Sequence, residues 1–237
     1  MTSIPLHRVQ KAVENVNPAL SRVANPKPAT RPRIIAVEGI IAGGKTVLCD
    51  SIMSYLRARG IKCAKYLEPL NMDLLKQFLG DPHKYAYAFQ LYMLSRRQLN
   101  YKLAEADRDA GAIVIVDRSL LGDYVFATMH QKLGNIQPEE FTAYKSVFED
   151  FTKFRPDAII YLDVSLETAQ QRLAARNREG ENTYTSEYLT MLDETYRHIF
   201  DENTAYKNIT HRIDWNNVPL GSDGLIGDAD VEKILSL

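Results

Sequence analysis

The chain has 237 residues, of which 45% are hydrophobic and 25% are charged, and its formal net charge at pH 7 is −1. This length predicts one or at most two domains with a sizeable core. No window approaches the run of about 20 apolar residues that a membrane-spanning helix needs. Two cysteines without a C-x-x-C pattern and five scattered histidines predict neither a disulfide framework nor a zinc site. We therefore expect a cytoplasmic protein without a membrane segment.

The first 33 residues differ in composition from the rest of the chain. They hold five of the ten prolines, and six basic residues against one acidic residue, a net charge of +5 that leaves the remainder at −6. This composition predicts a disordered, basic, proline-rich extension over 1–33 and a folded domain over 34–237. A basic, acid-poor leader is also compatible with a mitochondrial presequence, although it has few serines and is broken by proline. Both interpretations stay open.

An apolar strand followed at once by a glycine-rich loop begins the folded part. Residues Ile34 to Thr46 are IIAVEGIIAGGKT, with G-x-x-x-x-G-K-T spacing at the end. Glycine is needed there because successive backbone N–H groups must turn inward against phosphate oxygens. A helix predicted over 47–59 adds its partially positive N-terminus. We expect Lys45 to reach the outer phosphates and the Thr46 hydroxyl to bind Mg²⁺. The predicted phosphate-binding residues of the loop are Gly39, Ala42, Gly43, Gly44, Lys45 and Thr46.

Beyond residue 33, short apolar segments alternate with helical patterns. Strands are predicted at about 34–38, 62–67, 112–117, 158–164 and 209–215, with helices in every interval. Strands joined by helical crossovers predict an α/β fold, with a five-stranded parallel sheet and helices on both faces. Ligands of such sheets bind at the carboxyl ends of the strands.

Charged residues follow the second and third predicted strands. Glu68 stands before Pro69, which cannot extend the sheet, and a carboxylate there can accept the proton of an attacking hydroxyl. Asp117 ends the third strand and is placed to hold Mg²⁺ directly or through water. Arg118 is expected to orient Glu68 or to bind the acceptor oxygen. Alternatively, Glu68 caps the helix that begins near Asn71. The Asp-Arg pair could also only close a loop.

The G-x-x-x-x-G-K-T loop, the Glu68-Pro69 pair and the sequence Asp117-Arg118-Ser119 together resemble the deoxyribonucleoside kinase family, from about Ile34 to the C-terminus. The resemblance implies a P-loop kinase fold, a three-layer sandwich with an arginine-rich lid. It also implies ATP- and Mg²⁺-dependent phosphorylation of the 5′-hydroxyl of a deoxynucleoside, as in nucleoside salvage, with Glu68 as base and Arg118 beside it. Members of the family are generally dimers that pair helices into a four-helix bundle, so a homodimer is expected.

An arginine-rich lid is predicted after the fourth strand, at about 172–185. Arg172 and Arg176 lie one helical turn apart on the helix predicted over 168–178, and Arg178 follows them. Guanidinium groups that close over a transferring phosphoryl group neutralise its oxygens and exclude water. We therefore assign these three arginines to ATP binding. An ordinary helix surface, with one arginine paired to a nearby glutamate, is the alternative.

The acceptor pocket is predicted along the helix at about 85–110. Gln90 and Arg97 are seven residues apart and therefore share a side of that helix. A glutamine amide offers a donor and an acceptor, which suits the edge of a base, and Phe89 is a candidate pocket wall. By resemblance, Gln90 contacts the base, while Arg97 and Asp123 indicate deoxycytidine or a purine deoxynucleoside. Ordinary buried polar pairing of these side chains stays open.

The resemblance also has local departures. Residues 117–126 are one residue shorter than is usual in the family, which would turn Asp123 away from its expected direction. Leu79 stands where relatives usually place a sugar-binding tyrosine, and Ile40 stands where asparagine is common. Glu181 matches the position that holds the sugar 3′-hydroxyl in dimeric members. Because of the departures named above, a thymidine-accepting or broad-specificity kinase is the alternative for base preference.

Other classes of function are less favoured. Residues 34–237 have a net charge of −6 and no stripe rich in lysine and arginine, which argues against nucleic-acid binding. A nucleoside monophosphate kinase would share the loop, sheet and lid, but should present extra cations for the acceptor phosphate in place of Glu68. A non-catalytic structural subunit of the same fold would be free to lose Lys45, Glu68 or Arg118, and all three are present.

Overall fold

The computed structural model describes residues 31–176 and 184–237 of the chain. Most of the predicted N-terminal extension, residues 1–30, lies outside the described residues. The predicted site residues Arg178 and Glu181 also lie outside them. The disorder predicted for the extension and the roles predicted for these two side chains stay predictions.

A five-stranded sheet, in which neighbouring strands all run parallel, forms the centre of the described part, in the order β2-β3-β1-β4-β5. This confirms the predicted parallel α/β sheet, and the strand boundaries differ from the predicted ones by one residue at most. The strands are β1 (Arg33–Glu38), β2 (Cys63–Tyr66), β3 (Ile113–Asp117), β4 (Ala158–Asp163) and β5 (Thr210–Asp214).

The burial of each strand follows its place in the sheet. The central strands β1 and β3 are almost entirely buried, as their continuous apolar sequences predict. The edge strands β2 and β5 are only partly buried and carry Lys65, His211 and Arg212, whose charged or polar ends can reach water. The strongest hydrophobic segments therefore form the middle of the sheet, beneath the glycine-rich loop.

Helices connect the strands and pack around the sheet. The helix after the glycine-rich loop begins two residues earlier than predicted, because Gly44 takes a left-handed conformation as its N-cap and Lys45 already lies in the first turn. The long pocket helix begins at Pro82, three residues before the predicted start, because Asp81 caps it by accepting the backbone N–H of Lys84. The helices are α1 (Lys45–Ala58), α2 (Met72–Gly80), α3 (Pro82–Asp109), α4 (Leu120–Lys132), α5 (Pro138–Phe151), α6 (Leu166–Arg176), α7 (Ser186–Glu202), α8 (Thr204–Lys207) and α9 (Asp228–Leu235).

Strand register brings the predicted site residues to one edge of the sheet. Val37 of β1 lies opposite Asp117 of β3, and Tyr66 of β2 lies opposite Val116 of β3. The glycine-rich loop, Glu68 and Arg118 therefore all leave the sheet at its carboxyl edge, where ligands of parallel α/β sheets bind. Within the described part of the chain, no helix is both long and apolar enough to cross a bilayer.

Candidate functional site

The glycine-rich loop requires glycine at two positions, because the backbone has a positive φ there and a Cβ would collide with a neighbouring residue. Gly39 has φ +143°, and a Cβ there would lie 2.9 Å from the carbonyl oxygen of Leu162. Gly44 has φ +92°, and its Cβ would lie 2.5 Å from Nε1 of Trp215. No side chain caps the N-terminus of α1. The first residues of α1, Lys45 to Val47, line a large cavity, so its N-terminus is available to a phosphate there.

Lys45 lies against its own loop. Its Nζ donates to the carbonyl oxygens of Ile40 at 2.9 Å and Gly39 at 3.3 Å, and the residue is 8% exposed. Burial lowers the pKa of Lys45 to about 8, and the nearby charge of Arg118 adds to the shift. The ammonium group is therefore held by two weak carbonyl acceptors, which an anionic phosphate oxygen would replace with a stronger, charge-assisted bond.

Two arginines hold the carboxylate of Glu68, which lines the same cavity as the loop. Its Oε1 accepts from Nε of Arg118 at 3.1 Å and lies 3.4 Å from Nη2 of Arg97. Burial raises the pKa of Glu68, but Arg118, Arg97 and Lys45 outweigh burial and hold this pKa below its ordinary value. The carboxylate is thus ionised at neutral pH and able to accept a proton.

Glu68 is not the cap of the next helix. The side chain of Asn71 caps α2 by accepting the backbone N–H groups of Asp73 at 3.0 Å and Leu74 at 3.1 Å. The capping alternative raised by the sequence is therefore wrong, and the carboxylate of Glu68 is left to face the cavity.

A cavity of about 630 Å³ contains both sides of the predicted reaction centre. The loop residues Gly43 to Thr46 line it together with Glu68 and Asp117. Arg172, Arg176 and Trp215 also line it. The structure therefore brings the predicted phosphate loop, the predicted base and the described lid arginines together around one space.

Arg118 is fixed more firmly than the sequence suggested. Its φ is +71°, a conformation that is strained for a residue with a Cβ. Its Nη1 donates to the carbonyl oxygen of Gly39 at 2.8 Å and to the hydroxyl of Tyr196. Arg118 therefore links the glycine-rich loop to Glu68, and the alternative in which it merely closes a loop is wrong.

Glu38 is a site residue that the sequence analysis missed. It is fully buried at the end of β1, and its Oε1 accepts from the backbone N–H of Ser119 at 2.6 Å and from the Ser119 hydroxyl at 2.7 Å. Its Oε2 accepts from the Tyr196 hydroxyl at 3.1 Å and lies 3.6 Å from Nη1 of Arg118. A Cβ on Gly122 would lie 2.6 Å from Glu38 Oε1, so glycine there makes room for this carboxylate. The available signal was a lone acid inside an apolar strand, which must find partners when buried.

Asp117 and Thr46 fit a Mg²⁺ ion. Oδ1 of Asp117 is buried and has no hydrogen-bond partner among residues 31–176 and 184–237. Burial raises the pKa of Asp117, and the charge of Lys45 opposes that rise. A hard cation would satisfy this oxygen and favour the ionised carboxylate, and the Thr46 side chain lines the same cavity.

Arg97 and Asp123 form a buried ion pair, at 2.6 Å between Nε and Oδ2. The short 117–126 segment was expected to turn Asp123 away from its usual direction in the family, whereas in the structure Arg97 holds the carboxylate in place. Burial raises the pKa of Asp123 to about 6, against the opposing charge of Arg97. Nη1 of Arg97 also donates to the carbonyl oxygen of Asp117 at 2.5 Å.

A smaller cavity of about 90 Å³ adjoins Glu68 on the acceptor side. Gln90, 3% exposed, and Asp123 line it. Phe89 also lines it and stacks on Phe78, with ring centroids 4.7 Å apart. Arg97 is not part of this lining and is 2% exposed, so it lies behind Asp123 rather than at the cavity surface. The other lining residues include Ile41, Ala42, Met93, Arg118, Phe126, Arg176, Tyr184 and Tyr188.

Arg172 and Arg176, the described lid arginines, occupy different positions. Arg172 donates to the carbonyl oxygens of Gly43 at 3.3 Å, Trp215 at 2.8 Å and Asn216 at 3.1 Å. Burial lowers its pKa. Arg176 lines both the large and the small cavity. Arg172 thus ties the lid helix to the glycine-rich loop, while Arg176 lies where the two cavities meet.

Trp215 is a second residue that the sequence did not reveal. It follows β5, is 3% exposed and packs over Gly44 at the mouth of the large cavity. No motif marks it, since its position depends on the pairing of β5 with β4, far along the chain from the loop.

Comparison with known proteins identifies the family. The sequence model of the deoxynucleoside kinase family matches residues 35–222. The chain is 32% identical to a deoxyadenosine kinase of Dictyostelium discoideum, over 77% of this chain and 72% of that protein. It is also 32% identical to the deoxyguanosine kinase of the same organism, over 78% of this chain and 65% of that protein. A probable deoxycytidine kinase of fowlpox virus is 30% identical, over 73% of this chain and 74% of that protein.

A solved structure shows the same fold. Deoxyadenosine kinase from M. mycoides, with products dCMP and a flexible dCDP bound, superimposes with a TM-score of 0.69 at 24% identity, covering 85% of this chain and 96% of that chain. This likeness confirms the predicted P-loop kinase fold. Because the family model spans most of the chain and the relatives above are kinases of deoxynucleosides, the chain belongs to the deoxynucleoside kinase family and is an enzyme that phosphorylates nucleosides at the 5′ position.

Proposed function

We propose that this kinase transfers the γ-phosphoryl group of ATP to the 5′-hydroxyl of deoxycytidine or a purine deoxynucleoside, with Glu68 as general base. The observation that carries the proposal is the position of Glu68, which lines both the phosphate-side cavity and the acceptor-side cavity. A group that serves two substrates in one displacement must face both of them.

On the donor side, the loop amides and the N-terminus of α1 bind the phosphates of ATP. Lys45 moves from its two carbonyl acceptors to the outer phosphate oxygens, and Arg176 approaches the transferring group from the lid. Thr46 and Asp117 would hold Mg²⁺, which supplies charge neutralisation at the phosphates when it is bound. The role predicted for Arg178 remains part of the proposal.

On the acceptor side, the nucleoside hydroxyl donates its proton to Glu68 as its oxygen attacks phosphorus. Arg118 fixes the orientation of the carboxylate through its 3.1 Å contact. Arg118 also keeps Glu68 ionised and thus ready as a base. The backbone strain at Arg118 is offset by its bonds to Gly39, Tyr196 and Glu68.

The base preference rests on Gln90 and on the Arg97–Asp123 pair. The Gln90 amide offers one donor and one acceptor to a base edge. Asp123 lines the cavity, and Arg97 positions it from behind, so Asp123 rather than Arg97 is the member that would touch the base. The named relatives act on deoxyadenosine, deoxyguanosine and deoxycytidine, which supports this preference. Glu181 is proposed for the sugar 3′-hydroxyl.

A homodimer and a cytoplasmic location complete the proposal. Leu99 and Leu103, one turn apart on α3, are 40% and 47% exposed, and Val147 of α5 is 37% exposed. These apolar side chains provide surface for a helix pair from a second copy. Tyr144 and Phe148 of α5 are buried in the core, whereas Phe141 and Phe151 are partly buried. The mitochondrial alternative, based on the basic N-terminal segment, stays open.

The test is phosphoryl transfer from labelled ATP to each of the four deoxynucleosides and to their 5′-monophosphates. The proposal predicts 5′-monophosphate products, with higher kcat/KM for deoxycytidine or the purine deoxynucleosides than for thymidine. Preferential phosphorylation of the monophosphates would identify a nucleoside monophosphate kinase. Absence of all transfer would favour a non-catalytic subunit, and highest kcat/KM with thymidine would contradict the proposed preference.

A further inference from the structure

His130 contacts two residues that line the smaller cavity on the acceptor side, here called the acceptor cavity. It is 1% exposed on α4, and its ring lies 5.0 Å from Phe78 in an edge-to-face arrangement. Its Nε2 lies 3.3 Å from the hydroxyl of Tyr188. Both Phe78 and Tyr188 line the acceptor cavity, whereas His130 does not. The mechanism proposed above leaves this buried titratable group without a role.

The hydrogen-bond partner on the other side of the ring determines which nitrogen carries the hydrogen. The side-chain Nδ2 of Asn135 lies 3.0 Å from Nδ1 of His130. An amide nitrogen donates and has no lone pair to offer, so Nδ1 must be the acceptor. The backbone N–H of Asn135 also donates to the carbonyl oxygen of His130 at 2.9 Å, which holds this turn in place. Since burial lowers the pKa of His130 to about 4, the ring is neutral at pH 7 and its single hydrogen lies on Nε2.

The direction of the next hydrogen bond then follows. Nε2–H donates to the Tyr188 hydroxyl oxygen, and the hydroxyl's own hydrogen is not used in that contact. Among the described residues, the Tyr188 hydroxyl forms its hydrogen bond with His130. Burial raises the pKa of Tyr188 well above its ordinary value, so the hydroxyl keeps its hydrogen. A hydroxyl that accepts from one side is left to donate on the other.

We infer that Asn135 and His130 orient the Tyr188 hydroxyl as a hydrogen-bond donor to the acceptor nucleoside. The recognised group is an atom with a free lone pair, either a ring nitrogen or a sugar oxygen. Tyr188 contacts the substrate, whereas His130 and Asn135 are positioning residues that act through it. The inference rests on the proposed function, since it needs a nucleoside in this cavity.

Asn135→Asp tests the inference from outside the cavity. A carboxylate has no hydrogen to donate, so it accepts from Nδ1–H and moves the ring hydrogen away from Nε2. Nε2 then accepts the hydrogen of the Tyr188 hydroxyl, and the donor to the nucleoside is lost. At pH 8, where the ring stays neutral beside the new carboxylate, we expect the nucleoside KM to rise about 5-fold. The KM for ATP should stay within about 2-fold.

Tyr188→Phe and the double variant separate positioning from a structural effect. Tyr188→Phe should raise the nucleoside KM by the same factor, and adding Asn135→Asp to Tyr188→Phe should have no further effect. Two-bond ¹H–¹⁵N spectra should show the hydrogen of His130 on Nε2 in the wild type and on Nδ1 in Asn135→Asp.

Each contrary result overturns the inference. Hydrogen on Nδ1 of His130 in the wild-type spectrum would do so without any variant. An unchanged nucleoside KM in Asn135→Asp, once the spectra show the ring hydrogen on Nδ1, would overturn the inference. An equal rise in KM from Asn135→Asp with and without the Tyr188 hydroxyl would also overturn it. In both cases, nucleoside turnover by the wild type would still support the proposed function. Absence of turnover with every deoxynucleoside in the wild type would overturn the proposed function, and the inference with it.

Discussion

The buried Arg97–Asp123 pair should contribute far more to folding than a surface pair of the same chemistry. The two side chains are 2% and 4% exposed and lie 2.6 Å apart. Replacing Arg97 with Met would leave the Asp123 carboxylate buried near the acids Glu68 and Glu38, with its opposite charge removed. Breaking such a pair from one side costs about 3–5 kcal/mol of unfolding free energy.

A double-mutant cycle isolates the coupling between the two side chains. Asp123→Asn in the Arg97→Met background removes the unpaired charge, so the double variant should be more stable than the sum of the two single effects predicts. We expect a coupling of about 2 kcal/mol or more, measured by urea unfolding with fluorescence detection at pH 7.

The control pair has the same residue types at the surface. Arg59 and Asp228 lie 3.1 Å apart with side chains 38% and 67% exposed. The cycle of Arg59→Met and Asp228→Asn should give a coupling below about 1 kcal/mol. Equal couplings for the buried and the exposed pair would refute the reasoning that burial makes the Arg97–Asp123 contact important.

Two further predictions concern the glycine-rich loop and the buried histidine. Gly44→Ala should reduce ATP affinity about 10-fold or more and change the emission of Trp215, the single tryptophan, because the new Cβ would meet the indole at 2.5 Å. Gly134→Ala is the control, since Gly134 also has a positive φ, +74°, with nothing within 4 Å of its Cβ, and an equal loss of ATP affinity there would exclude the steric explanation. For His130, the folded-state pKa of about 4 lies below the ordinary value of 6.5, so the unfolded chain binds more protons between these pH values and stability falls as pH falls through this window. Urea unfolding should show that the wild type loses about 2 kcal/mol of unfolding free energy between pH 7 and pH 5, and that His130→Phe lacks this loss. The same pH dependence in the variant and the wild type would contradict the burial of His130.

Local sequence patterns were sufficient to predict the sheet and the position of the glycine-rich loop, Glu68 and Arg118 at its carboxyl edge. The β1–loop–α1 segment could be predicted because its glycines, its lysine and the following helix are contiguous in sequence. Few other residue types can take the places of these glycines and this lysine. Glu68 and Arg118 could be placed near it because parallel strands end at one edge. Their mutual contact of 3.1 Å, by contrast, depends on the left-handed backbone at Arg118, which the sequence did not reveal.

The remaining site residues depend on contacts between distant segments. Glu38 finds Ser119 and Tyr196 only after α4 and α7 pack beside β1. The direction of Asp123 does not follow from the length of the 117–126 segment alone, because the buried Arg97 holds the carboxylate. Trp215 lies over the glycine-rich loop because of strand order, and strand order does not follow from local periodicity.

The most direct test of the central claim is the rate of phosphoryl transfer in a single turnover by Glu68→Gln. The amide keeps the shape of the carboxylate but cannot accept the proton, so the rate should fall about 100-fold or more while ATP affinity changes less than about 2-fold. Glu194→Gln, an exposed position on α7, should leave the rate unchanged. A Glu68→Gln rate within a few-fold of the wild type would show that the proton acceptor lies elsewhere.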